Sequence, residues 1–264
     1  MPSKEQHQEL LQKYAQAIVK VGLNLQKGQR LVIFNATSRG VPPAGRALVN
    51  EVTKAAYAAG AKYVEAIWGD EEMHRIRLKN APGDSFDEYP QFMVDTVMKM
   101  IKNGDALLSI YANDPDVYNG LDSDRIAAMQ KSHLQHYSPV SVEVSRNAVN
   151  WCVAASAAPA WATKIFPDLP SEEAMDKLWE AIFQTTRADQ PDPVAAWQEH
   201  IQNMKKRSGY LQEKKYSALH YKAHDAVRDD RVYQLPGSFP VVGISEGCQH
   251  RVPIGPNASR IFPF

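Results

Sequence analysis

Little in this sequence points to disulfides, membranes or polyanions. Its 264 residues hold only two cysteines, Cys152 and Cys248. Two thiols give neither a disulfide framework nor a zinc-ribbon spacing. Cys152 lies in an apolar run and reads as an inert buried thiol. No stretch stays apolar for the length of a bilayer span. Neither sign of charge is in excess: Lys+Arg 30 balances Asp+Glu 30, and the formal net charge is +0. A nucleic-acid binder would carry a basic surplus or patch. Nucleotide and nucleophile signatures are missing too. There is no G-x-G-x-x-G, no G-x-x-x-x-G-K-S/T and no G-x-S-x-G, which removes the dinucleotide, P-loop and usual α/β-hydrolase readings. The amino terminus is polar and then amphipathic, unlike a secretory signal. A soluble cytoplasmic protein that binds neither nucleic acid nor membrane is expected.

What is present concentrates between Asn147 and His200. Residues 151–155, WCVAA, form a short apolar run without helical period, as in a buried strand. A loop follows, and Pro167 to Pro170 force a turn. Ser171 reads as the N-cap of a helix with Glu172 and Glu173 in its first turn, where the helix dipole favours negative charge. Met175, Leu178, Trp179, Ile182 and Phe183 then make one wide apolar face. Asp192-Pro193 opens the next helix, Asp as cap and Pro at the first helical position. Val194, Trp197, Ile201, Met204 and Leu211 line a stripe of it. The tryptophans at 151, 161, 179 and 197 read as core.

The earlier chain alternates between the same two periods. Ser3 and Gln6 spell a capping box, and an apolar helical face runs to Gly22. Residues 31–34, LVIF, read as a strand buried on both faces. Pro42-Pro43 opens a helix rich in alanine, Gly60 ends it, and 61–68 is a second strand. This is a strand–helix–strand unit of a parallel sheet, which crosses over right-handed. Phe92, Val94, Val97, Met98 and Ile101 mark a helix, 106–111 a third strand, and Ile126, Met129 and Leu134 a helix capped by Asp122 or Ser123. Residues 217–221 read as a possible fifth strand. The expected fold is α/β, a mostly parallel sheet flanked by helices over residues 1–222. Residues 223–264 form a divergent, weakly structured tail rich in turn residues, with 239–244 its one strand candidate, weakened by Pro240.

The segments WCVAA, PAWATKIFPDLP, KLWEAIF and DPVAAWQEH resemble the metallo-aminopeptidase family of aminopeptidase T, aminopeptidase S and PepS, metallopeptidase family 29. KYAQAIVKVGLNLQKGQRLVI and AAYAAGAKYVEAIWGDEEMHRIR fit it as well. The resemblance covers roughly the first 220 residues. It implies an exopeptidase that removes amino-terminal residues from peptides with two divalent ions, zinc, cobalt or magnesium, and that forms a homodimer. It also implies metal ligands in a carboxyl-terminal domain, beginning with a glutamate of a Pro-Asn-x-Pro-Thr-Glu-Glu motif that this sequence does not contain. On this reading the tail departs from the family by truncation or frameshift. The chain alone then binds no metal and lacks most activity. The other reading is a non-catalytic dimerisation or interaction domain of the same descent.

Few residues offer themselves for chemistry. His220 and His224 stand four apart with Asp225 next, a spacing that puts imidazoles on one helical face in zinc sites. The strand pattern there, and the missing H-E-x-x-H glutamate, favour solvated or packed histidines. His133 and His136 are expected at a polar helix end, where a positive imidazole suits the dipole. Asp70, Glu71 and Glu72 follow the second strand, where parallel sheets place their ligand crevices. They read either as shapers of a substrate cleft or as an acidic helix start.

Overall fold

In the computed structural model, residues 3–35, 40–216, 218–221, 231–234 and 260–261 are described. Ser3 opens α1 (Lys4–Ala17) with both halves of its capping box in place. The helix widens into a π turn at Ile18–Gly22 before the chain reaches β1 (Arg30–Phe34). A 3-10 turn at Pro43–Gly45 leads into α2 (Arg46–Ala58), and β2 (Tyr63–Ala66) follows. Asp70 caps α3 (Glu71–Asn80), and α4 (Gln91–Lys102) leads to β3 (Ala106–Tyr111). Asp122 caps α5 (Ser123–Ser145), which is followed by β4 (Trp151–Ala155). Three helices come next: α6 (Pro159–Ile165), α7 (Ser171–Thr185) and α8 (Pro193–Lys214).

The strands pair in parallel in the order β2-β1-β3-β4, and the two-residue β7 (Arg260–Ile261) lies beside β4. Strand alternation divides the core. Leu31, Ile33, Leu108, Ile110, Cys152 and Ala154 join one cluster with the apolar faces of α1, α2, α7 and α8. Val32, Phe34 and Leu107 turn the other way, onto Val94, Val97 and Ile101 of α4 and Val140 of α5. The sheet is therefore covered on both sides, which explains why LVIF reads as a continuous apolar run. At the outer edge of β4 the buried Tyr14 hydroxyl acts as a stand-in strand. It accepts from Ala155 N at 3.1 Å and lies 3.2 Å from Ala155 O, to which it donates. Burial pushes this phenol above its ordinary pKa, so it stays neutral.

Several expectations need correction. The stretch after β4 is not only a loop, since it holds α6, a helix of 7 residues too short to show an apolar period. Pro170, not Ser171, is the N-cap of α7: its carbonyl takes the first helical bond from Ala174 N, and Ser171 makes no capping bond. The helix with Met129 runs on through Pro139 to Ser145, because Val140 and its neighbours pack onto the sheet and offset the lost backbone bond. Phe92, Leu134, Met204 and Leu211 are exposed, so those stripes are narrower than the spacing predicts. The strand at 217–221 is β5 (Ala218–Tyr221), but it pairs antiparallel with β6 (Arg231–Gln234) and does not extend the parallel sheet. Residues 239–244 lie outside the described residues.

His7 gives the fold a pH dependence. Its ring meets Trp179 and Phe183 edge-on, with centroids 5.4 and 5.5 Å away. Desolvation lowers its pKa below the ordinary 6.5, against a smaller raising by Asp176. Below about pH 6.5 the unfolded chain binds a proton that the folded chain resists. This contribution therefore destabilises as pH falls from that value, and the loss is complete below the folded pKa. Thermal midpoints measured from about pH 7.5 to about pH 5 should fall less steeply for His7→Gln than for the parent chain. Parallel curves would refute the assignment.

Candidate functional site

The strand order reverses between β1 and β3, since the chain leaves β1 for β2 on one side and returns to β3 on the other. In open α/β sheets the crevice beyond the carboxyl ends of such strands is where ligands bind. Three side chains converge there. Asn35, one residue past β1 and wholly buried, donates through Nδ2 to Ile110 O at 3.0 Å and to Asn113 Oδ1 at 2.9 Å. Asn113, just past β3, donates through Nδ2 to Glu71 Oε1. The other Glu71 oxygen accepts from Asp114 N at 2.9 Å. A carboxylate on α3, after β2, thus locks the loop after β3 and the amide that faces the crevice.

The acidic trio splits into different roles. Asp70 caps its helix, accepting from Glu72 N at 2.9 Å. Glu72 lies exposed in the first turn. Glu71 alone reaches into the switch-point network. Asn35 and Asn113 were not singled out from the sequence, although each follows the end of a core strand, a position that could have marked them.

Beside this network, at the ends of β3 and β4, is a cavity of about 390 Å³ lined by Tyr111, Asn113, Pro115, Val153, Ala155 and Trp161. Its walls are tied together. Ser156 N donates to Tyr111 O at 2.7 Å. Lys164 of α6 pairs with Asp116 of the loop after β3. The Lys164 hydrogen bond holds the Asp116 carboxyl below its ordinary pKa. Ser109 pairs in register with Val153, and its buried hydroxyl has no hydrogen-bond partner among the described residues.

His133 and His136 sit in mid-helix on α5, not at its end, because the helix continues to Ser145. They stack with tyrosines: His136 lies parallel to Tyr89 at 4.8 Å, and His133 over Tyr137 at 5.2 Å. Tyr89 Oη is 3.1 Å from His133 Nδ1, and His136 Nδ1 is 2.8 Å from Ser132 O. Burial, with Tyr89 and Tyr111 adding, raises the Tyr137 pKa and keeps that phenol neutral. This cluster is packing. His220 falls in β5, while His224 and Asp225 lie outside the described residues. Among the described residues no group of three His, Cys, Asp or Glu side chains is placed to hold a metal ion, and no helix is long and apolar enough to cross a membrane. The described donor set therefore does not fit a pair of divalent ions. Glu71, the carboxylate of the switch-point network, spends both oxygens on Asn113 and Asp114.

Known proteins share this arrangement of elements. The family described as thermophilic metalloprotease (M29) matches residues 7–228. Aminopeptidase 2 of Geobacillus stearothermophilus is 41% identical over 237 residues, covering 90% of this chain and 53% of the relative. Aminopeptidase T of Thermus thermophilus is 36% identical over 237 residues, covering 90% and 54%. A solved structure of wild-type AmpT from Thermus thermophilus superposes with a TM-score of 0.74 at 33% identity, covering 81% of this chain and 51% of that one. The chain spans about half the length of the curated relatives it matches.

Proposed function

The chain belongs to the thermophilic metalloprotease (M29) family, and from that premise we propose that it serves a metal-dependent aminopeptidase, removing amino-terminal residues from peptides. The observation that carries this reading is the 41% identity to an aminopeptidase across 90% of the chain. Metal ions in such an enzyme polarise the scissile carbonyl and make a bound water nucleophilic. The described residues supply a different part: a rigid α/β scaffold and a cleft at the switch point. In this reading Glu71 shapes that cleft, Asp70 and Glu72 start its helix, residues 1–222 form the α/β domain, and 223–264 form a divergent segment. The ions are zinc, cobalt or magnesium, the assembly is a homodimer, and the protein works in the cytoplasm.

A chimera tests the assignment. Residues 1–222 would be joined to the part of Aminopeptidase T that this chain does not match, and aminoacyl p-nitroanilides offered with and without chelator. Chelator-sensitive release is expected. A folded, metal-loaded and inactive chimera would count against the reading. A second reading is a non-catalytic dimerisation or interaction domain of the same descent. It concerns the 264-residue chain alone, which should bind fewer than two ions and run in solution at twice 29.5 kDa. Two tightly held ions in metal analysis, with chelator-sensitive cleavage, would sink that second reading and leave the first standing.

A further inference from the structure

The cavity at the ends of β3 and β4 has a lining that selects its occupant. Tyr111, Pro115, Val153, Ala155 and Trp161 supply apolar surface, and among the described residues no charged side chain lines it. An ionised group placed there would lose water without gaining a counter-charge. An apolar group would gain by leaving water. Its volume of about 390 Å³ falls within the roughly 300–1,000 Å³ of small-ligand sites.

Asn113 is a polar member of the described lining, and it is held from behind. Asn35 donates to its Oδ1, and its Nδ2 donates to Glu71. A primary amide offers two N–H donors and two lone pairs. One donor and one lone pair therefore remain, on a group that cannot turn without breaking both anchoring bonds. That remainder matches the acceptor and donor of a peptide unit. The Tyr111–Ser156 bond and the Lys164–Asp116 pair hold the walls in place without a ligand, so little ordering accompanies binding.

We propose that this cavity is a subsite for an uncharged, apolar side chain of a peptide. Asn113 hydrogen-bonds the adjoining peptide group, and Glu71 is the positioning residue that fixes Asn113. The subsite rests on the peptidase reading and names the side-chain class that reading would favour.

The test is direct binding to the full chain in chelator-treated buffer, read by calorimetry, so that no metal takes part. The probes are N-acetyl-phenylalanine amide and N-acetyl-leucine amide against the lysine and glutamate counterparts. The apolar probes should bind at least about tenfold more tightly. Val153→Phe, which fills the cavity, should weaken them by a similar factor, and Trp161→Ala, at a half-buried wall, serves if the first variant does not fold. Glu71→Ala should weaken binding severalfold, and Glu71→Gln, which keeps an acceptor oxygen, should recover part of it. Equal affinity for charged and apolar probes, no binding at all, or indifference to both cavity variants overturns the subsite. Any of these beside an active chimera leaves the peptidase reading intact. Selective apolar binding beside an inactive chimera overturns the peptidase reading and keeps the site.

Discussion

Gly40→Ala should be among the most damaging single-methyl changes in this chain. Gly40 follows β1, at φ +147°, and a Cβ built there would lie 2.3 Å from the carbonyl carbon of Trp68 and 2.4 Å from Gly69 N. Both are backbone atoms, so no side chain can swing aside. Backbone strain of about 1–3 kcal/mol adds to overpacking of about 1–3 kcal/mol, giving a loss of roughly 2–6 kcal/mol. The damage should also reach the site. The strand pieces there are stitched by Val41 N to Ile67 O at 2.8 Å and Gly69 N to Val41 O at 3.0 Å. The displaced Trp68-Gly69 backbone leads straight into Asp70 and Glu71. Gly28→Ala is the control: its φ is +80°, but nothing lies within 4 Å of the added carbon. Thermal unfolding of the two variants separates close approach from conformation alone. Equal midpoints would show that the crowding at Gly40 is relieved at no cost.

Phe183→Ala should cost about 3–5 kcal/mol, the range for emptying a buried aromatic site. In a domain of this size that corresponds to roughly 6–20 °C in thermal midpoint. The side chain is 2% exposed. It stacks on Trp179 at 5.2 Å and meets Tyr14 edge-on at 6.5 Å. Tyr14 in turn holds the carboxyl end of β4 through Ala155. Loss of the ring therefore loosens the contact between α7 and α1, and through Tyr14 the strand that forms one wall of the cavity. Phe92→Ala provides the comparison, since Phe92 is 70% exposed and should change stability by no more than about 0.5 kcal/mol. Similar losses at both positions would contradict the core assignment.

The two variants also show how far local reading goes. Phe183 falls on the face that the spacing of Leu178, Trp179 and Ile182 marks out, and the structure buries all four. The role of Gly40 is invisible in its neighbours, because the atoms it must avoid belong to β2's continuation at Trp68. The candidate site follows the same division. The position of the acidic trio past the second strand is legible, and so is the acidic helix start. That Glu71 alone reaches Asn113, across 42 residues, is not. The histidines at 133 and 136 stand in mid-helix for a related reason. Pro139 is a local stop signal, and packing of Val140 against the sheet overrides it.

By itself the sequence determined the alternation of strands and helices, the caps at Ser3 and Asp192, the two-sided burial of β1 and the family resemblance. All of these follow from chemistry within a few residues along the chain, where periodicity and capping act. Only the tertiary structure decided that Asn35, Glu71 and Asn113 form one network, that Tyr14 bonds the carboxyl end of β4, and that Trp161 and Tyr111 line one cavity. Those contacts join residues up to 141 positions apart. They exist because a parallel sheet gathers the carboxyl ends of distant strands on one side, which no single segment specifies.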